Sequence, residues 1–298
     1  MDKKRRTEAF RHTVQTLWAL FTNSYFMGFL QGKIYRGNLK RFCVPGMNCY
    51  SCPGALGACP IGALQAVIGS KQFLFSSYIL GFICLFGIVM GRFVCGWLCP
   101  FGLIQELLHK IPMLKKIKTF RGDMFLRKLK YIILLVFVFL LPMFAVDIAG
   151  TASPYFCKLI CPVGTLEGAV PLLLLQSSLR TAIGWLYAWK VIILIFIIFV
   201  SILIYRPFCK YLCPLGAIYA INNRISIFKY HIDKNLCINC GKCISVCQMN
   251  LNPRVDPNHH ECIRCGKCKN ICPSNAIEVC SLLCNKYTGC DKITETEK

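Results

Sequence analysis

Arg92-Phe-Val-Cys-Gly-Trp-Leu-Cys-Pro-Phe-Gly-Leu-Ile104 returns later in the chain as Arg206-Pro-Phe-Cys-Lys-Tyr-Leu-Cys-Pro-Leu-Gly-Ala-Ile218, identical at seven of thirteen positions. Repetition of this kind marks a duplicated structural unit. A third C-x3-C-P block stands at Cys157, Cys161 and Pro162, and a related stretch reads Cys59-Pro-Ile-Gly-Ala-Leu64. All four therefore share Cys-Pro-apolar-Gly-x-(Ile/Leu). Proline disfavours helix at the cysteine before it and suits the first turn of a helix after it. Each block thus puts a thiol at a helix N-terminus, where the dipole stabilises a thiolate. The glycine two residues after proline lets a bulky group approach the backbone.

The C-terminal part carries two runs, Cys237, Cys240, Cys243, Cys247 and Cys262, Cys265, Cys268, Cys272. Their C-x2-C-x2-C-x3-C spacing wraps a [4Fe–4S] cluster, and in two-cluster ferredoxins the fourth cysteine of each run ligates the other cluster. The expected sets are Cys237, Cys240, Cys243 with Cys272, and Cys262, Cys265, Cys268 with Cys247. Gln248 follows Cys247 where proline is usual, which removes no ligand. One C-x3-C-P block supplies half of such a site. Pairing the repeats gives Cys95, Cys99, Cys209 and Cys213 as an inner set. An outer set takes Cys157, Cys161 and Cys59, but Ala55 occupies the place of the fourth cysteine. Cys52 or Cys49 must substitute, and Cys52, the nearer, is the expected ligand. The alternative is that the outer cysteines form disulfides facing an oxidising space. Zinc is a weaker alternative, since its sites rarely show two consecutive runs of this spacing. Cys84, within an apolar segment, is expected to be a small core residue, and Cys43, Cys49, Cys280, Cys284 and Cys290 are left without a role.

Composition fits a membrane setting. Of 298 residues, 55% are hydrophobic and 16% charged, against about 25% charged in ordinary soluble domains. Apolar segments at 14–31, 73–91, 131–149 and 183–205 approach the roughly 20 residues a bilayer needs. The expected fold is a mainly α membrane protein of four transmembrane helices, arranged as two repeated helix pairs, with a small α+β two-cluster ferredoxin domain behind it. The expected boundaries are 1–229, 230–279 and a cysteine-containing tail at 280–298. Basic residues at the N-terminus and nine in the 92–130 loop, against two in 150–182, predict a multi-pass protein of a prokaryotic cytoplasmic membrane with both termini inside. Lys33, Arg36, Lys40, Arg41 and Lys71 run against that orientation. The formal charge of +22 does not point to nucleic acid, because the cations flank apolar segments. Four bound clusters would also reduce it to about +14. Membrane lipid and an acidic redox partner are the expected partners. Lys190 and Asp147 lie at one end of the expected spans, where they could pair or meet a quinone headgroup. No haem-attachment, Walker or dinucleotide motif occurs.

These blocks, together with the stretch Pro45-Gly-Met-Asn-Cys-Tyr-Ser-Cys-Pro-Gly-Ala-Leu-Gly-Ala-Cys-Pro-Ile-Gly-Ala-Leu64, resemble the NapH family of membrane polyferredoxins, and within it the YccM-like branch of electron-transport proteins. The likeness covers roughly residues 10–275. It implies a quinol dehydrogenase-like activity that passes electrons from quinol to a partner reductase, with Cys95/Cys99 and Cys209/Cys213 as the matching blocks. The Cys157/Cys161 block and the cysteine-rich 43–59 loop depart from the NapH pattern. The expected function is electron transfer between [4Fe–4S] clusters and a quinone pool or an outer redox partner. The alternative is an assembly or regulatory factor for a metal-containing oxidase or reductase.

Overall fold

The computed structural model describes residues 3–70, 73–112, 115–145 and 153–280. Eight principal helices follow one another: α1 (Lys3–Thr22), α2 (Pro60–Ser70), α3 (Phe73–Met90), α4 (Pro100–Lys110), α5 (123–144), α6 (Gly164–Leu175), α7 (Trp185–Leu203) and α8 (Pro214–Asn222). Helix α5 widens into a π-helical stretch at Leu134–Leu140, and α6 does so at Gly164–Ala169. Short helices Phe93–Trp97, Tyr155–Leu159 and Pro207–Tyr211 each carry the first cysteine of a C-x3-C-P block. The second cysteine of the two inner blocks is the N-cap of the next helix, with extended φ/ψ, and proline opens that helix. Pro60 likewise opens α2 directly after Cys59.

Helices α1 and α7 pack on α4, α2 packs on α3, and α5 packs on α8 and on the Pro207–Tyr211 helix. Their common core contains Val94, Phe101, Val138, Phe156, Phe208 and Tyr219. It also contains Cys95, Cys99, Cys161 and Cys213, so cysteines of the inner and outer blocks share one core.

This architecture is mainly α-helical, but it does not contain four spanning helices in two pairs. Among the described residues only Trp185–Leu203 is long and apolar enough to cross a membrane, with a mean hydropathy of 2.6. The other apolar helical stretches, Pro60–Gly69, Ser77–Met90 and Gly164–Leu175, have 10, 14 and 12 residues, at most about 21 Å against a hydrocarbon core of about 30 Å. The first expected span is broken: α1 ends at Thr22 and a new helix begins at Phe26. Its Arg11 and Gln15 are buried, and Arg11 reaches Glu106 on α4. The third expected span stops at Phe144. The multi-pass topology and the orientation drawn from loop charges are therefore corrected. Hydropathy registers apolar residues without distinguishing those that face lipid from those that line a protein core. Lys71 and Asp147 lie outside the described residues, as do Cys284, Cys290 and the rest of the tail beyond Cys280.

The ferredoxin-like part is built on a two-stranded antiparallel sheet. Strand β1 (Lys229–Ile232) pairs with β2 (Ile277–Cys280), Lys229 standing opposite Cys280. Between them the chain repeats itself. Asn239 and Arg264 both take positive φ, as do Gly241 and Gly266 immediately after the second cysteine of each run. These left-handed residues curl each C-x2-C-x2-C stretch into a concave loop.

The module is docked on the helical part by buried charge. Arg92 pairs with Glu261 at 2.5 Å, and Lys130 pairs with the other oxygen of the same carboxylate. Arg264 donates to the carbonyls of Met90 (3.0 Å) and Asn223 (2.7 Å), and Trp97 Nε1 donates to Arg264 O at 3.0 Å. The approach is close enough to need Gly96, where a Cβ would sit 2.2 Å from Ile263 O. Burial alone would raise the Glu261 carboxyl, but Arg92 and Lys130 outweigh it and hold it at about 2. Because that value lies below the ordinary 4.5, the contribution of Glu261 is fully present above about pH 4.5. It is lost as pH falls toward 2.

Removing one partner of a buried ion pair costs roughly 3–5 kcal/mol. Glu261→Gln should therefore loosen the module at neutral pH, seen as faster proteolysis at the 223–235 joint. Unchanged cleavage would show that these pairs do not hold the module.

Candidate metal centres

The inner site is assembled from both copies of the repeat. Cys95, Cys99, Cys209 and Cys213 are all buried, between 4% and 7% exposed. Cys213 interacts electrostatically with the other three, and Cys99 with Cys209 and Cys95. Burial pushes the Cys95, Cys99 and Cys213 thiols upward, Cys99 to about 12, so four buried thiolates here would require positive charge to offset them. The surroundings supply part of it. Arg92 Nη2 donates to Cys209 O at 3.0 Å, and Arg206 Nη1 donates to Cys95 O. Each arginine precedes the first cysteine of its own block by three residues and reaches the first cysteine of the other. Arg206 is held in turn by Glu106 at 2.7 Å, which also binds Arg11.

Hydrogen-bond donors point at the sulfurs. Gly216 N–H donates to Cys213 Sγ at 3.3 Å, as expected where a thiolate caps a helix. Gln105 Nε2 donates to Cys209 Sγ at 3.2 Å, while its Oε1 accepts the Phe208 N–H at 3.1 Å.

The outer site repeats this construction. Gln65 Nε2 donates to Cys157 Sγ at 3.5 Å and its Oε1 accepts the Phe156 N–H at 2.9 Å. Cys59, Cys157 and Cys161 lie together, Cys161 interacting with both others. Cys52 does not join them; its Sγ is 3.6 Å from Asn23 Oδ1. Cys43, Cys49, Cys52, Cys59, Cys157 and Cys161 are all free thiols, not disulfides. Cys84, expected in the core, is instead exposed on α3, and Lys190 Nζ donates to Cys157 O at 3.2 Å.

In the ferredoxin-like part the fourth cysteine of each run sits with the other run. Cys262, Cys265, Cys268 and Cys247 line one open cavity, and Cys237, Cys240, Cys243 and Cys272 line another.

Neighbouring sites share walls. Met47 Sδ lies 3.7 Å from Cys59 Sγ. A Cβ on the adjacent Gly46 would lie 3.2 Å from Cys99 Cα. Tyr219, fully buried, donates to Pro45 O at 3.0 Å and interacts with Cys59, Cys95, Cys99 and Cys213. Segment 45–47 thus separates the outer site from the inner one. The Gly96–Ile263 contact joins the inner site to the loop of Cys262. Placement of the inner and outer blocks on opposite faces of a bilayer is not compatible with this packing.

The donor sets suit a [4Fe–4S] core. Each is made of four cysteine sulfurs or, in the outer site so far, three. Among the described residues no three Cys, His, Asp or Glu side chains are close enough to hold a single ion. A tetrahedral zinc would need its sulfurs about 3.8 Å apart, whereas a cubane places one iron behind each thiolate.

Several residues that build these sites were not identified from the sequence. Gln65 and Gln105 each stand six positions after a Cys-Pro cysteine, and this shared spacing is a legible signal. Arg92 and Arg206 open the quoted repeat at matching positions. Tyr219 stands at the same spacing after Cys213, whereas Glu106, Glu261 and Met47 carry no such mark.

Two families, each of 4Fe-4S binding domains, match the chain. One matches at residues 72–121, 131–172 and 186–232, the other at 230–250 and 255–278. An uncharacterised protein of Methanocaldococcus jannaschii is 29% identical over 175 residues, 55% of this chain and 61% of its own length. The methylamine utilization ferredoxin-type protein MauN of Paracoccus denitrificans is 34% identical over 80 residues, 26% of each chain. YccM of Escherichia coli is 40% identical over 47 residues, 16% of this chain and 13% of its own. The chain thus spans about three fifths of the first relative and a quarter or less of the others. These likenesses give a general link to ferredoxin-type proteins and do not single out the NapH-type branch. No solved structure matches the chain. The chain carries ferredoxin-type 4Fe–4S domains of the kind used in electron transfer.

If the two copies of the repeat share one inner site, Cys95→Ser and Cys213→Ser should each remove the same EPR signal and spare the others. Two different losses would separate the blocks. Gln105→Leu should keep the iron content but move that signal's potential downward, since hydrogen bonds to the sulfurs help set it. An unchanged potential would show that the amide does not bond the ligated sulfur.

Proposed function

We propose that this protein is a membrane-attached electron relay, passing single electrons along four cysteine-lined sites between a quinone pool or membrane-side donor and a redox protein. The observation that carries this reading is the contiguity of the sites. The outer site shares segment 45–47 with the inner one, the inner site meets the Cys262 loop at Gly96, and the two ferredoxin-type sets interleave their fourth cysteines. An electron can move along this series without leaving protein.

A bound [4Fe–4S] cluster supplies the one-electron redox couple at each site. The cysteines bind and fix it. Gln65, Gln105 and the Gly216 N–H orient and polarise sulfur. Arg92 and Arg206 offset thiolate charge, and Phe101, Phe156 and Phe208 exclude water. The outermost set includes Cys240, which is exposed, with Lys242 and Arg254 lining the same cavity. This end suits an acidic redox partner.

Attachment to lipid rests on α7. Only 17% of its apolar window is buried, and Ile192, Ile195, Phe196 and Phe199 are each more than half exposed. Trp185 and Trp189 near one end suit a membrane–water interface.

Anaerobically purified protein should contain about sixteen iron atoms and as much acid-labile sulfide per chain, four to a cluster. About eight would leave only the ferredoxin-type sets and end the relay reading. The protein should also stay with lipid vesicles through a carbonate wash, and release by carbonate would remove the membrane part of the proposal.

A further inference from the structure

The inner and outer sites differ in the source of one cysteine. At the inner site Cys213 interacts with Cys209, Cys95 and Cys99. At the outer site Cys161 occupies the matching position and interacts with Cys157, Cys49 and Cys59. Cys157 also interacts with Cys49. Cys49 thus stands to the outer site as Cys95 stands to the inner one, although it lies ten residues before Cys59 rather than four. Its sulfur is aimed at the site: a Cβ on Gly164 would lie 3.6 Å from Cys49 Sγ. Its backbone is fixed by donation of its N–H to Glu167 Oε2 at 2.9 Å. Ala55, which holds the sequence position of the missing cysteine, is fully buried, with its carbonyl bound by Lys40 Nζ at 2.8 Å.

The charge partner also has a counterpart. Arg92 Nη2 donates to Cys209 O at 3.0 Å and lies 3.5 Å from the Cβ position of Gly216. Lys190 Nζ donates to Cys157 O at 3.2 Å and lies 3.6 Å from the Cβ position of Gly164. A lysine from α7 therefore takes the place of a guanidinium from the preceding turn.

We infer that Cys49 is the fourth thiolate of the outer site, so that Cys49, Cys59, Cys157 and Cys161 form a complete set for a [4Fe–4S] cluster with Lys190 as its cationic neighbour. The inference rests on the reading that the C-x3-C-P blocks hold clusters. It adds a ligand that the regular spacing does not provide.

Three variants purified anaerobically test it. Cys49→Ser should lose up to about four of about sixteen irons and one EPR signal, with the two ferredoxin-type signals retained as the sign of a folded chain. Cys52→Ser should keep the full count and every signal. Lys190→Met should keep the full count and lower the midpoint potential of the signal that Cys49→Ser removes, because a lost positive charge favours the oxidised, less negative cluster. Loss on Cys52→Ser with Cys49→Ser intact would overturn the assignment, and so would a Lys190→Met shift in any other signal or none. Should Cys49→Ser fail to fold, the other two variants decide, the shifted signal then being identified as the one lost in Cys157→Ser. A wild-type content of about eight irons would instead overturn the cluster reading of the blocks as a whole, which is a distinguishable failure.

Discussion

Two buried guanidinium groups, crossed between the copies of a repeat, hold this molecule together. Arg92 and Arg206 are fully buried, and each binds the backbone of the block opposite its own. Their charge is used twice. On one side it faces the gathered cysteines, where four thiolates would otherwise be held in a medium that disfavours them. On the other it meets a carboxylate, Glu106 for Arg206 and Glu261 for Arg92. Glu106 ties in α1 through Arg11, and Glu261 ties in the ferredoxin-like module. The charge network around the inner site is therefore also the network that assembles the chain.

That double use explains why so many charged residues are buried in an apolar protein. A buried ion pair is weak as a source of stability, because desolvation offsets much of its attraction. Its gain is in specificity. A module attached through Arg92, Lys130 and the two carbonyls bound by Arg264 can dock in one orientation only. Gly96, which leaves no space for a side chain against Ile263, enforces the same register sterically. Electron transfer gains from this fixed spacing, since neighbouring centres must stay close whatever redox state they carry.

The sequence showed the chemistry more clearly than the architecture. Cysteine spacing is a local property, and the ferredoxin-type runs could be read directly because loop length and ligand reach are tied together. The duplicated C-x3-C-P blocks were legible for the same reason. Spanning segments were not. Residues of α3, α5 and α6 are apolar whether they face lipid or pack around Cys99, Cys161 and Tyr219, and a hydropathy window gives both the same value. Arg11, counted among the basic residues at the N-terminus, binds Glu106 on α4, and Gln15, inside the expected span, accepts a hydrogen bond from Arg11. Cys52 was preferred to Cys49 on sequence proximity. Yet the 43–59 segment folds back on itself through the bridge between Cys43 and Ala58 and the bond from Cys59 N to Asn48 O (2.8 Å). In a segment folded back in this way, distance along the chain does not decide which thiol faces the site, and counting residues cannot choose between Cys49 and Cys52.

The inner and outer sites also share one device. In both, a glutamine six residues after the Cys-Pro cysteine spans the gap to the facing block, one end on a sulfur and the other on a phenylalanine N–H. That clasp needs only a side chain of the right length at a fixed helical position, so it survives while the residues around it change. The cationic neighbour is less constrained, because a lysine on a long helix places at the outer site the charge that an arginine on a short turn places at the inner one. The fourth sulfur is less constrained still, since any loop that brings a thiol over the glycine of the facing block will serve. The two sites are most alike where geometry is narrowest, at the glutamine clasp, and differ where a charge can be delivered from more than one element.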